Sequence, residues 1–289
     1  MKVTKVYKNG SRPINEDRFV INEQANIYAV IDGATGLDGG LPGKLASETF
    51  QTHLADAASQ DTLLPQMKQA NDQLNNLVVS YYKQNFENST DVTAAESIPK
   101  QKRSTTGIAA IQLNKTNTSF EYVHAGDCML FLKFDDGKIR TVTYDMVHHF
   151  DQLAINQIRT LREQYGETAA LSDLRKQVNP ILLANREKYN TPEGYRILDG
   201  TKEGYEQLEY GQVHLNKVSQ ILLLSDGLLL PSKDQENNGW EATAMLAFSS
   251  GLDALLTEVQ KREVEDEACI IYPRLKQHDD KTGILIEMK

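Results

Sequence analysis

Apolar residues in this chain follow two patterns, short runs bounded by polar turns and longer stretches at helical spacing. Phe19-Val20-Ile21 and Ile27-Tyr28-Ala29-Val30-Ile31 flank the polar Asn22-Glu23-Gln24-Ala25-Asn26, the pattern of a hairpin. The first forty residues thus read as strands separated by polar turns. Leu45, Thr49, Phe50, Leu54 and Ala57 share one face of a predicted helix from Lys44 to Ser59. Met67, Ala70, Leu74, Leu77, Val78 and Tyr81 do the same for Leu63 to Phe86. Asn88 to Lys102 is polar, holds a proline and lacks periodicity, so it predicts a surface loop. Strands are predicted again at Thr105 to Leu113, Ser119 to His124, Met129 to Phe134 and Ile139 to Thr143, with Asp135-Asp136-Gly137-Lys138 as a hairpin turn. A charged helical stretch from about Gln152 to Lys188 interrupts them and gives way to Asn190-Thr191-Pro192-Glu193-Gly194. Strands return at Gly211 to Leu215 and Gln220 to Ser225, helices at about Glu241 to Phe248 and Leu252 to Arg262, and a last strand at Gly283 to Met288.

Short strands in hairpins, with helices in blocks between them, predict an α+β fold of mostly antiparallel sheets with helices packed outside. The strict β-α-β alternation of a parallel sheet is absent. Length alone does not decide between one domain and two. One domain over residues 1–289 with a helical insertion near 146–205 is the simplest account. Hydrophobic residues at 40% and charged residues at 25% are ordinary for a soluble globular protein with a sizeable core. The formal charge of −9 argues against nucleic acid as a partner, and it would repel phosphate esters unless cations reverse the field at one site. The two cysteines, Cys128 and Cys269, are too few for a disulfide framework and too far apart for a zinc motif, which suits a reducing cytoplasm. Met1-Lys2-Val3-Thr4-Lys5-Val6 lacks the apolar stretch of a signal peptide. The richest apolar run, Ile221 to Leu230, is interrupted by Asp226 and too short to span a bilayer, so no membrane is expected.

The chemistry concentrates in four scattered aspartates. Asp32 and Asp226 each end an apolar run and precede a glycine; Asp127 follows His124-Ala125-Gly126; Asp279 opens Asp279-Asp280-Lys281-Thr282 before the last strand. A carboxylate at the end of a buried strand is costly unless its charge is compensated. Converging carboxylates would suit a hard divalent cation, which prefers oxygen ligands. Competing motifs fail. Gly36 to Lys44 has Asp38 and Leu45 where a P-loop needs glycine and a hydroxyl. Ala34 stands where a haloacid-dehalogenase nucleophile motif needs its second aspartate, and no EF-hand loop occurs. Taken singly, each Asp-Gly pair reads as a turn and Glu16-Asp17 as solvated charge, and His148 and His149 read as loop residues. Joint occurrence and order change that reading, together with Arg12 five positions before Asp17.

The ordered set resembles the type 2C metal-dependent protein phosphatases, the PPM family, across nearly the whole chain. The matching pieces are Arg12 with Glu16-Asp17, Val30-Ile31-Asp32-Gly33-Ala34-Thr35-Gly36, Ser104-Thr105-Thr106-Gly107, Gly126-Asp127-Cys128-Met129, Ser225-Asp226-Gly227, and Asp279-Asp280-Lys281-Thr282. Each is weak alone, and six in order are specific. The resemblance implies a four-layer α/β/β/α sandwich of two mostly antiparallel sheets flanked by helices. It implies two Mn²⁺ or Mg²⁺ ions bridged by Asp32, with the Gly33 carbonyl joining one of them. Asp226 and Asp279 would complete one ion, and Glu16 and Asp17 would serve the other directly or through water. Arg12 would grip the substrate phosphate bidentately, and a water between two cations ~3.5–4 Å apart would attack phosphorus in line.

The implied activity is hydrolysis of phosphoserine and phosphothreonine on a phosphorylated protein. A small phosphorylated substrate and a pseudophosphatase that binds without turnover are the alternatives. Two departures matter. Leu230 replaces an aspartate that helps many members hold a third metal, which leaves Asp127 as at most a loose third site. Ala34 replaces a histidine proposed as general acid in some eukaryotic members, so the leaving-group proton donor is unassigned. The insertion near 146–205 occupies the position of the family's variable flap, which implies a role in substrate selection.

Overall fold

The computed structural model describes residues 1–87, 90–166, 169–233 and 239–288. Its strands are β1 (Lys2–Lys8), β2 (Arg18–Asn22), β3 (Ile27–Ala34), β4 (Thr105–Leu113), β5 (Ser119–Ala125), β6 (Met129–Phe134), β7 (Ile139–Thr141), β8 (Glu209–His214), β9 (Val218–Leu224) and β10 (Lys281–Glu287). The helices are α1 (Lys44–Asp56), α2 (Leu63–Asn85), α3 (His148–Tyr165), α4 (Leu171–Lys188), α5 (Lys202–Glu206), α6 (Trp240–Ser250) and α7 (Leu252–Glu265). One sheet runs β1-β10-β9-β6-β7 and the other β2-β3-β4-β5-β8, and every pairing is antiparallel.

Strand alternation sorts side chains into layers. Tyr28 and Val30 of β3 meet Leu130 and Leu132 of β6 and Ile221 and Leu223 of β9 between the sheets. Ile27, Ala29 and Ile31 point the other way, onto Phe50 and Leu54 of α1 and Met67 and Leu74 of α2. Leu222 and Leu224 pack outward against Trp240 and Ala244 of α6 and Leu255 of α7. The result is an α/β/β/α sandwich. Helices cover both outer faces, so the central strands are buried on both sides. They therefore read as continuous apolar runs, although antiparallel strands with one wet face would alternate.

Several expectations are refined. The stretch from Gln152 to Lys188 is two helices rather than one. The first ends at Gly166, whose φ of +96° suits glycine and whose N–H returns to the Arg162 carbonyl at 2.8 Å. Residues 167–168, inside that expected stretch, lie outside the described residues. So do residues 88–89 of the expected loop. From Thr90 onward the loop is partly anchored, because Ala95 and Ile98 are buried against the core of α1 and α2. Strand β1, whose Lys2-Val3-Thr4-Lys5-Val6-Tyr7-Lys8 carries few apolar residues, pairs as an edge with β10. His148 and His149 open α3 instead of lying in a loop. Between β7 and β8, α3 and α4 form their own small apolar cluster of Ala154, Ile158, Leu161, Leu174 and Val178. Among the described residues no helix is long and apolar enough to cross a membrane.

Candidate metal centre

Register places the acidic residues at one end of the sandwich. Asp17 lies just before β2, whose Arg18 pairs with Ile31 near the end of β3. Asp32 pairs with Gly107 at the start of β4. Asp127 follows β5 in the turn to β6, and Met129 opens β6 opposite Leu224, after which comes Asp226. Gly283 of β10 is also opposite Leu224, which brings Asp279 to the same edge. Thus segments distant in sequence deliver their carboxylates together. Close packing enforces this. A Cβ on Gly33 would stand 2.5 Å from the Glu16 carbonyl, and one on Gly227 would stand 1.7 Å from the Asp280 carbonyl.

A cavity of 340 Å³ is lined by Asp32, Asp127, Asp145, Asp151, Asp226 and Asp279 among others. A neighbouring cavity of 650 Å³ is lined by Arg12, Glu16, Asp17, Asp32, Gly33 and Asp279, with Arg175, Lys276 and His278 on its walls. Asp32 and Asp279 face both. Removal from water raises the Asp32 carboxyl well above the usual range, and Asp17, Asp226, Asp127 and Asp279 raise it further by repulsion. Asp17 and Asp127 are raised for the same reasons. Burial followed by Asp279 pushes Asp226 to about 6, although Lys276 and a hydrogen bond with Asp32 oppose the rise. Burial, Asp226 and Asp145 push Asp151 to about 7.

The side chains already have partners. Ser225 Oγ donates to Asp17 Oδ2 at 2.7 Å and accepts from the Thr282 N–H at 3.0 Å. Glu16 Oε1 accepts from the Gly43 N–H at 2.8 Å and from Thr35 Oγ1, while its Oε2 pairs with Arg12 Nη1 at 2.8 Å. Lys276 Nζ pairs with Asp279 Oδ2. Burial opposes the charge on Lys276, but Asp279, Asp226 and Asp32 hold it protonated. Among the described residues no group of three or more His, Cys, Asp or Glu is arranged to hold a metal ion. The donor set nevertheless fits a hard cation. It is all oxygen, its members repel one another, and Asp226 Oδ1 is buried with no hydrogen-bond partner.

Residues to which the sequence assigned no role complete the frame. Asp280, 8% exposed, accepts from the Gly10 N–H at 2.8 Å and the Glu16 N–H at 2.7 Å. Asp145 caps the start of α3 through the Val147 and His148 N–H groups and accepts from Trp240 Nε1 at 2.9 Å. Buried Glu263 of α7 pairs with Lys281 at 2.8 Å and His278 at 3.0 Å, bracing the segment that carries Asp279. Arg186 of α4 donates to Thr105 Oγ1 at 2.9 Å and the Thr35 carbonyl at 2.7 Å, tying α4 to the site. Leu230 is 5% exposed and packs with Trp240 in the outer core.

Comparison with known proteins agrees with this fold. The fold matches the serine/threonine phosphatase Stp1 from Staphylococcus aureus at 16% identity over 100% of this chain and 95% of that one, with a TM-score of 0.57. It matches the catalytic domain of the serine/threonine phosphatase PstP, solved in complex with two manganese ions, at 18% identity over 99% and 97% of the two chains, with a TM-score of 0.53. PppA of Pseudomonas aeruginosa matches at 15% identity over 98% and 96%, with a TM-score of 0.55. No curated protein matches the chain. The model of the protein phosphatase 2C family matches residues 7–267, and the chain belongs to that family.

Proposed function

We propose that this protein hydrolyses phosphoserine and phosphothreonine esters on proteins with the help of two divalent cations. The observation that carries the reading is the convergence of Asp17, Asp32, Asp226 and Asp279 on two adjoining cavities that share Asp32 and Asp279, where burial and repulsion disfavour the charges of Asp17, Asp32 and Asp226 until a cation compensates them. Asp32, Asp226 and Asp279 are assigned to one Mn²⁺ or Mg²⁺, and Asp32, the Gly33 carbonyl and Asp17 to the other. Glu16, already holding Gly43 and Thr35, serves that second ion through water. Asp127 is left for a loose third ion, because Leu230 belongs to the outer core and offers no oxygen. When bound, such cations supply an activated water and neutralise charge on the phosphoryl group.

The chain's own residues do the rest. Arg12, more than half exposed at the cavity mouth, leaves Glu16 to take two phosphate oxygens. Ser225 and Asp280 fix Asp17 and the segment behind it, so that the carboxylates stay placed between turnovers. α3 and α4 wall the cavity and present the surface that selects a phosphoprotein. The manganese pair in PstP supports the cation assignment. Free, buried Cys128 and Cys269 fit a reducing cytoplasm as the working compartment.

The Lys276–Asp279 pair favours one rival, a pseudophosphatase that binds phosphoprotein without turnover. The deciding experiment uses protein stripped with EDTA and resupplied with Mn²⁺, offered a phosphothreonine peptide, a phosphotyrosine peptide and p-nitrophenyl phosphate. Mn²⁺-dependent release from the phosphothreonine peptide is expected to exceed that from the other two. Peptide binding without release would favour the rival.

A further inference from the structure

The part-buried arginines of this fold have recognisable partners. Arg103 pairs with Asp199 at 2.9 Å, Arg18 with Glu48, Arg262 with Glu258 at 2.8 Å and Arg274 with Asp266 at 3.2 Å. Arg186 and Arg162 lack a carboxylate but each donates to two oxygens. Arg175 of α4 differs. Among the described residues it has no ion-pair partner, and its one hydrogen bond runs from Nη1 to the Leu275 carbonyl at 2.9 Å. A guanidinium has five N–H donors in a rigid fork, so most of this one is unspent.

Its surroundings make the vacancy informative. Arg175 lines both cavities, and in the larger one it shares the wall with Arg12, Asp32 and Asp279. Burial and then the Arg12 charge lower its pKa, outweighing the opposing pull of Asp279 and Asp151. Two guanidinium groups repelling each other across a shared cavity call for an anion between them. Position is also controlled, because Leu275 packs its side chain into the cluster of α3 and α4 while its carbonyl holds Arg175. Leu275 lies four residues before Asp279, so Arg175 is registered to the segment that bears an assigned metal ligand.

We propose that Arg175 is a second phosphate-binding residue, carried by the inserted helix α4, which with Arg12 clamps the dianionic phosphoryl group of a monoester substrate. The inference rests on the phosphatase reading for the identity of the anion, but the binding site itself can be measured separately. A monoester dianion offers three terminal oxygens, enough for a bidentate contact from one arginine and a further contact from the other. A phosphodiester, with one negative charge and two free oxygens, satisfies the pair less well. The inserted helices thereby contribute directly to recognition of the reacting group, in addition to any contact with the surrounding peptide.

The test compares Arg175→Met and Arg175→Lys with the wild type in the Mn²⁺-loaded protein. KM for a phosphothreonine peptide, kcat, the inhibition constant of inorganic phosphate and the Mn²⁺ dissociation constant are all measured. Losing a charge-assisted contact made in ground and transition states should raise KM and the phosphate inhibition constant about 10- to 100-fold in Arg175→Met. The expected change in kcat is less than about threefold, and Mn²⁺ affinity should be unchanged. Arg175→Lys should recover part of the phosphate affinity through charge without restoring the fork. Constants within twofold of wild type, or a loss of Mn²⁺ affinity as large as the loss of phosphate affinity, would overturn the assignment. If the wild type shows no turnover, the phosphatase reading fails, and calorimetry with inorganic phosphate still decides the site. Weaker binding in both variants supports the site, and unchanged binding removes it. Should Arg175→Met not fold, Arg175→Lys and Arg175→Gln keep the long stem and carry the same comparison.

Discussion

Asp280 offers a sharp test of how the site is held. Its carboxylate takes one N–H on each oxygen, from Gly10 at 2.8 Å and from Glu16 at 2.7 Å, and thereby fastens the segment bearing Arg12, Glu16 and Asp17 to the start of β10. Hydrogen bonds to a charged acceptor contribute about 1.5–3 kcal/mol each, and a buried donor left unpaired costs about 1–3 kcal/mol. In Asp280→Ala the Gly10 N–H can find water, because Ser11 to Ile14 beside it are exposed. The Glu16 N–H, in a buried stretch from Asn15 to Asp17, cannot. One full loss and one partial loss add to about 2–4 kcal/mol of destabilisation. Asp280→Asn keeps one acceptor oxygen and should lose about half of that. Urea unfolding followed by fluorescence of Trp240, the only tryptophan, reads the difference. The same variants should bind Mn²⁺ more weakly, since Asp17 and Glu16 are no longer fixed. A change below about 0.5 kcal/mol in Asp280→Ala would refute the argument that this carboxylate anchors the segment.

Other expectations follow from the same geometry. Asp32→Ala should abolish Mn²⁺-dependent turnover while leaving metal-free stability equal or higher, because it removes a carboxyl whose ionisation burial and repulsion by Asp17 and Asp226 disfavour; a large drop in metal-free melting temperature would contradict this. Leu230→Ala should cost about 2–5 kcal/mol in urea unfolding, as a buried leucine deletion does. Leu230→Asp, which restores the acidic residue found in many family members, should destabilise the fold through a buried unpaired charge instead of creating a clean third site. Stability of the EDTA-treated protein should depend on pH in an unusual direction. Asp226 and Asp151 titrate near 6 and 7 when folded, above ordinary carboxyls near 4. The folded state therefore holds extra protons between those values, and stability present at low pH is lost as pH rises through about 6–7. Scanning calorimetry in EDTA should show a lower Tm at pH 8 than at pH 5, and Mn²⁺ should stabilise more at pH 8.

Strand positions were legible because burial on both faces leaves runs such as Ile221 to Leu224 almost free of polar residues. Edge strand β1 was not, because Lys2, Lys5 and Lys8 leave little apolar signal and its pairing depends on the distant β10. The break at Gly166 was hidden within a charge-rich stretch whose helical spacing continues on both sides. Asp32, Asp127, Asp226 and Asp279 could be read as a set because they flank apolar runs in sequence, and Glu16-Asp17 joined them only through the order of the motifs. Partners of those residues could not be read. Lys276 is one of many lysines until Asp279 is placed beside it, and Arg175 is one polar residue on a helix until α4 closes over the cavity. Spacing shows which groups can do chemistry, whereas the absence of a neighbour, the feature that singles out Arg175, exists only after folding.

The central claim is that Asp32 is shared by two cations. Anomalous diffraction from crystals grown with Mn²⁺ measures it directly. The account predicts two strong peaks on either side of the Asp32 carboxylate, one contacting Asp226 and Asp279 and the other contacting the Gly33 carbonyl and Asp17. It also predicts that the Lys276–Asp279 pair is broken. No ordered ion at saturating Mn²⁺, or one that leaves Asp32 untouched with Lys276 still on Asp279, would contradict it.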